Sequence, residues 1–231
     1  MHARILGAAL AAVGTFALAA DDAQPDTLDN NCPSASAAVT ERFLSADCQT
    51  CWTDKAAAVP PAEQWLLDWI VPSPLGDDAP LSSAAPTEAR ARAQRALKKT
   101  ALDTQHTVVR RSPARHASAP PLRVLSGPAW SGYFAVQVNG AGRVAGARSV
   151  WLALVEAVPA GTDGSAVPRQ LVRTVAGPFA PTELRSGEAW DMLYAMRWPE
   201  TAQPVRLRAR AWIEDAGGRI VAMAGERCAA Q

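Results

Sequence analysis

The chain has 231 residues, with 23 basic against 22 acidic side chains and 48% hydrophobic residues. So even a balance gives no steering field for nucleic acid or anionic lipid. The length allows one large domain or two small ones, and no stretch beyond the N-terminus is apolar and charge-free enough to insert stably in a membrane as a helix.

Met1 to Ala19 reads as a secretory signal peptide. Arg4 supplies the positive n-region, Ile5 to Ala17 is the apolar h-region, and Ala17-Leu18-Ala19 is a small-x-small cleavage site. The apolar run is too short to span a bilayer of roughly 30 Å, which takes about 20 helical residues. A periplasmic or secreted protein is therefore expected, and loss of Arg4 would leave basic and acidic groups equal in number. Residues 20–35 are polar and rich in Asp and Asn, and read as a flexible lead-in.

Ala37 to Ser45 alternates apolar and polar groups and predicts a strand, with Cys48-Gln-Thr-Cys51 directly after it. Pro60-Pro61 limits any helix beyond Cys51 to about two turns. Gln64 to Val71 is a nearly continuous apolar run, as expected of a buried strand, and Pro72, Pro74 and Gly76 end it. Pro86 to Leu102 is the best helix: Pro86 suits a first turn, Glu88 the N-terminal end and Lys98-Lys99 the C-terminal end. Its arginines Arg90, Arg92 and Arg95 read as a solvated face.

Ser112 to Pro121 is the expected Pro-rich linker. Beyond it the period changes to two. Tyr133–Val138, Val150–Val155, Gln170–Val175, Met192–Trp198, Val205–Glu214 and Arg219–Ala224 are strand-like, and Asp215-Ala-Gly-Gly218 is a hairpin turn. This spacing predicts an antiparallel β-sandwich over 122–231.

The four cysteines are Cys32, Cys48, Cys51 and Cys228. An even number in an exported chain favours disulfides, and four cysteines allow three pairings. The adjacency of two makes Cys48–Cys51 with Cys32–Cys228 the economical choice. A CxxC at a strand-to-helix junction also suits thiol–disulfide exchange: helix N–H groups favour the thiolate, and the second thiol resolves a mixed disulfide. Asp47 opposes that lowering, while Lys55 lies a turn beyond Cys51.

Glu41-Arg-Phe-Leu-Ser-Ala-Asp-Cys48-Gln-Thr-Cys51 resembles the E-L-F-T-S-x-x-C-x-x-C strand of a family of exported bacterial proteins of unknown function with a thioredoxin-like fold. Glu41, Phe43, Ser45, Cys48 and Cys51 fall on matching positions. The segments Leu67–Val71, Asp77–Pro80 and Ala84–Ala93 look like that family's second strand, acidic loop and helix. Val150–Leu154, Gln170–Val175 and Ile220–Ala224 are similar to its β half. The resemblance implies an α+β chain: a thioredoxin-like domain over 36–111 carrying the CxxC, then the β-sandwich-like half. Trp52 departs from the family, which has Pro-Pro after the second Cys, and no Thr-Pro supplies the cis-proline that thioredoxin-like enzymes keep opposite the disulfide.

Two functions stay open. In one, Cys48 is the nucleophile and Cys51 the resolving thiol toward protein thiols or disulfides, with Glu41 a candidate catalytic carboxylate that takes the thiol proton. In the other, both bridges only hold the fold and Glu41 is a solvated strand-edge residue. No cofactor is implied. A metal site lacks ligands at workable spacing around His106 or His116, and Trp52 stands where haem attachment needs His. There is no G-x-S-x-G for a hydrolase, and both histidines read as exposed. Asp77-Asp78 reads as a solvated loop pair. Trp52, unlike the other Trp residues, is also a candidate contact surface for a partner.

Overall fold

The computed structural model describes residues 38–57, 65–98, 102, 106–111, 122–141, 147–180 and 189–225. The elements before the expected linker are β1 (Ala38–Ser45), α1 (Gln49–Thr53), β2 (Trp65–Val71), α2 (Glu88–Leu97) and β3 (His106–Arg111). After it come β4 (Leu122–Ser126), β5 (Tyr133–Ala141), β6 (Ala147–Val158), β7 (Arg169–Phe179), β8 (Ala189–Arg197), β9 (Leu207–Asp215) and β10 (Ile220–Gly225). Three short 3-10 turns cover 76–78, 82–84 and 204–206. The expected signal peptide, the 20–35 lead-in, the 112–121 linker, Cys32, His116 and Cys228 lie outside the described residues.

The strands form two sheets. One has seven strands in the order β10-β9-β6-β7-β2-β1-β3, and the other has three in the order β4-β5-β8. β1 runs parallel to β2, with Glu41 opposite Leu67 and Ser45 opposite Val71. β2 runs parallel to β7, with Asp68 opposite Leu171. The remaining pairings are antiparallel.

This corrects the expected fold class. The described residues are dominated by strands and contain two α-helices, of five and ten residues. No thioredoxin-like α/β half stands apart from a β-sandwich half. Instead β7, β6, β9 and β10 extend the sheet that β1, β2 and β3 begin, and the second sheet keeps only β4, β5 and β8. The physical reason lies in β2. From Leu66 to Val71 it is buried on both faces, so it needs cover above and below and a strand on each edge. Two short helices cannot supply that; a strand from the second half does.

The pleat then sorts side chains to the two faces. Val39, Glu41 and Phe43 of β1, with Leu67, Trp69 and Val71 of β2, face α2. They pack with its Ala89 and Ala93 and with Trp151, Ala153, Val155 and Trp212. The alternate residues Arg42 and Leu44, with Leu66, Asp68 and Ile70, face the other way. There Leu44 and Ile70 pack with Trp52 of α1, Ala79, Leu81, Val158 and Leu171. Farther along that face, Leu152, Leu154, Ala176, Leu207, Ala209 and Ala211 meet Val124, Phe134, Val136, Val138 and Met196 of the three-stranded sheet. Burying a side chain of this size contributes about 1.5–3 kcal/mol relative to exposure.

Local chemistry sets the ends. α2 stops at Leu97, five residues short of Leu102: Lys98 turns the chain with a left-handed backbone (φ 59°), and its N–H donates to the Gln94 carbonyl. The β9–β10 turn is organised by Asp215. Its carboxylate accepts from the Gly217 and Arg219 N–H groups at 2.8 and 2.9 Å, while Gly218 takes the positive φ (74°) the turn requires.

Candidate functional site

Cys48 and Cys51 form a disulfide with their Cα atoms 5.3 Å apart, inside the range an ordinary bridge spans. β1 ends at Ser45, Ala46 donates to the Val71 carbonyl of β2, and Cys48 stands at the N-cap of α1. The two sulfurs are not equivalent. Both cysteines are half-buried, but Cys51 packs against the cluster of Leu44, Trp52, Ile70 and Leu171, whereas Cys48 stands between exposed Asp47, Gln49 and Thr50. The Thr50 hydroxyl lies 3.5 Å from the Cys48 sulfur. A bridged sulfur carries no hydrogen, so Thr50 is the donor.

α1 is fixed from beneath by residues more than 100 positions away. Arg169 is fully buried, and its Nη2 donates to the carbonyls of Cys51 (2.9 Å) and Trp52 (3.0 Å), which have no partner within so short a helix. Its Nε donates to Ser165 Oγ at 3.1 Å, and its guanidinium lies 5.1 Å from the centre of the Trp52 ring. Trp52 is 4% exposed and its Nε1 donates to the Asp163 carbonyl at 2.8 Å. The 159–168 loop thus grips α1 from one side while Arg169 grips it from below. Trp52 is a buried anchor rather than a contact surface.

Behind Arg169 lies Asp68, with the two groups 3.7 Å apart. Asp68 also accepts from Arg42 at 2.5 and 3.0 Å and from the Gln170 N–H at 2.7 Å. All three ionic side chains are fully buried. Burial pulls the Arg169 guanidinium below its ordinary range, the Asp68 carboxylate opposes this, and Arg42 adds to the lowering.

Glu41 does not join this site. Its side chain lies on the opposite face, where its carboxylate accepts from Arg92 of α2 at 2.7 and 3.1 Å. Arg92 also donates to Glu214, which accepts from Trp212 Nε1 at 3.0 Å. Burial opposes the charge of Arg92, yet Glu41 and Glu214 together hold its pKa above the ordinary value. Glu41 is therefore neither a solvated edge residue nor near the bridge: strand rise places the Ser45 end of β1 about 13 Å further on. Arg92 likewise departs from the solvated face expected of the α2 arginines. Arg95, although exposed, stacks over the Trp151 ring at 5.1 Å.

Arg42, Asp68 and Arg169 escaped the sequence reading. The signal available was Asp68 itself, a lone acid inside an apolar strand, which must find a cation there. Nothing in the spacing names Arg169 as that partner. The other candidates stand apart: His106 opens β3 opposite Phe43 and is half-buried, and Asp77 and Asp78 are exposed in a 3-10 turn. Among the described residues no cluster of His, Cys, Asp or Glu is arranged to hold a metal, and no helix is long and apolar enough to cross a membrane. The cis-proline of the described residues, Pro178, follows Gly177, which lies against Val150 and Trp151 of β6, while the groups that touch α1 are Arg169 and Asp163.

No family model matches the chain, and no curated protein matches it. A solved structure, HBP35 of Porphyromonas gingivalis, is similar with a TM-score of 0.51 at 9% identity, over 86% of this chain and 80% of that one. At that identity the likeness concerns the fold alone.

Proposed function

We propose that the chain is an exported thiol–disulfide exchange protein whose reactive pair is Cys48 and Cys51. The observation that carries this reading is the asymmetry of the pair's surroundings: both cysteines are half-buried, but Cys48 stands between exposed residues, while Cys51 packs on the Leu44–Ile70 cluster with its carbonyl held by Arg169. An incoming thiolate is therefore expected to approach Cys48, from the side of exposed Asp47, Gln49 and Thr50. It attacks Cys48, the Cys48–Cys51 bond breaks, and Cys51 leaves as the thiolate. A second thiolate of the partner attacks the partner's own sulfur in the mixed disulfide and releases Cys48. Two electrons pass from the partner dithiol to the protein, and the partner leaves as a disulfide. The reverse sequence reduces a partner disulfide, with Cys48 attacking and Cys51 resolving.

The framework suits this role. A bridge that closes so short a loop contributes only about 2 kcal/mol in the chain-entropy model, and α1 is held by Trp52 and Arg169 as well. The site can thus keep its shape in both redox states. Partners are protein thiols or disulfides of the same compartment. The test is capture in Cys51→Ser: Cys48, without its resolving thiol, should accumulate a mixed disulfide with an oxidised peptide, and Cys48→Ser should not. A reduction potential below about −300 mV would mark the bridge as structural and end the proposal.

A further inference from the structure

We propose that Arg169 is the positioning residue that sets the redox poise of the pair, by stabilising Cys51 as the leaving thiolate; this rests on the exchange reading above. Two observations converge on it. Arg169 donates to the carbonyl of Cys51 itself and to that of the next residue, so its charge is fixed against the segment carrying the leaving sulfur. Among the described residues, two buried guanidinium groups, Arg42 and Arg169, gather around one buried carboxylate, Asp68, with Asp54 exposed to water.

The sign follows. The disulfide is neutral and the reduced pair carries a thiolate, so a fixed positive charge favours the reduced form and makes the bridge more oxidising. Buried charges are screened by salt much less than exposed ones, so the effect should persist at physiological ionic strength.

The experiment compares the full chain with Arg169→Met and Arg169→Lys, equilibrated in glutathione buffers, alongside the pH profile of Cys51 alkylation in a Cys48→Ser background. Arg169→Met should make the bridge harder to reduce by about tenfold in the equilibrium constant, about 30 mV more negative, and move the Cys51 profile to higher pH. Arg169→Lys keeps the charge and should retain most of both properties even where its melting temperature falls. A folded Arg169→Met with the parental potential and profile overturns the proposal. If Arg169→Met does not fold, the lysine variant decides: loss of the full tenfold with its charge intact also overturns it. The parental potential separately tests whether the pair exchanges at all, so the two readings fail by different measurements.

Discussion

Glu41 and Arg42 are neighbours in β1, yet they end in ionic clusters on opposite faces of the seven-stranded sheet. Glu41 joins Arg92 and Glu214 under α2, two acids around one base, and Arg42 joins Asp68 and Arg169 under α1, two bases around one acid. The alternation of a strand brings this about. The sheet therefore separates a negative from a positive cluster, and the disulfide lies on the positive side.

Glu41→Gln should test that separation. Removing one partner of a buried pair leaves Arg92 short of charge and costs about 3 kcal/mol or more. The expected result is a lowered urea midpoint with the potential of the Cys48–Cys51 pair unchanged. A shifted potential at unchanged stability would return Glu41 to the exchange chemistry.

Reducing the bridge should cost little. For so short a loop the chain-entropy contribution is about 2 kcal/mol. Urea unfolding with and without dithiothreitol should differ by no more than that, with the same m-value. Collapse of the fold on reduction would make the bridge a structural one.

Thr50→Val removes the hydroxyl 3.5 Å from the Cys48 sulfur and leaves a side chain of similar volume. A donor helps a thiolate more than a bridged sulfur. Cys48 alkylation should therefore shift to higher pH in this variant, with the melting temperature within a few degrees of the parent.

Acid should reach Asp215 late. Hydrogen bonds from the Arg219 backbone and side chain hold its carboxyl below its ordinary value of 3.8, and the Gly217 N–H adds to the lowering. Its stabilising effect is thus complete above that value and fades as pH falls through the lower folded one. The NMR titration of Asp215 should show a midpoint below 3.8, and Arg219→Ala should move it up.

Much of the site's backbone was legible in the sequence, and little of its electrostatics. The strand into Cys48, the run Leu66–Val71 and the six later strands could be read from periodicity because each is local. β3 and β4 were not, since His106–Arg111 mixes charged with apolar residues and Leu122–Ser126 is short. The fold class failed on one non-local fact, the pairing of β2 with β7, which no window of sequence contains. Arg169 was hidden for the same reason. Its position at the start of a strand looks like an ordinary edge arginine until Asp68 and the α1 carbonyls are brought to it.

The insertion of β7 between β6 and β2 also orders events in time. During synthesis β1, α1, β2 and α2 all emerge before β7, and until then the edge of β2 that β7 occupies is open. The first half therefore has no finished core of its own to collapse around. The seven-stranded sheet is thus incomplete until β7, β9 and β10 have been made. The non-local pairing that obscured the architecture thus also places the assembly of the Arg169 site after the synthesis of β7.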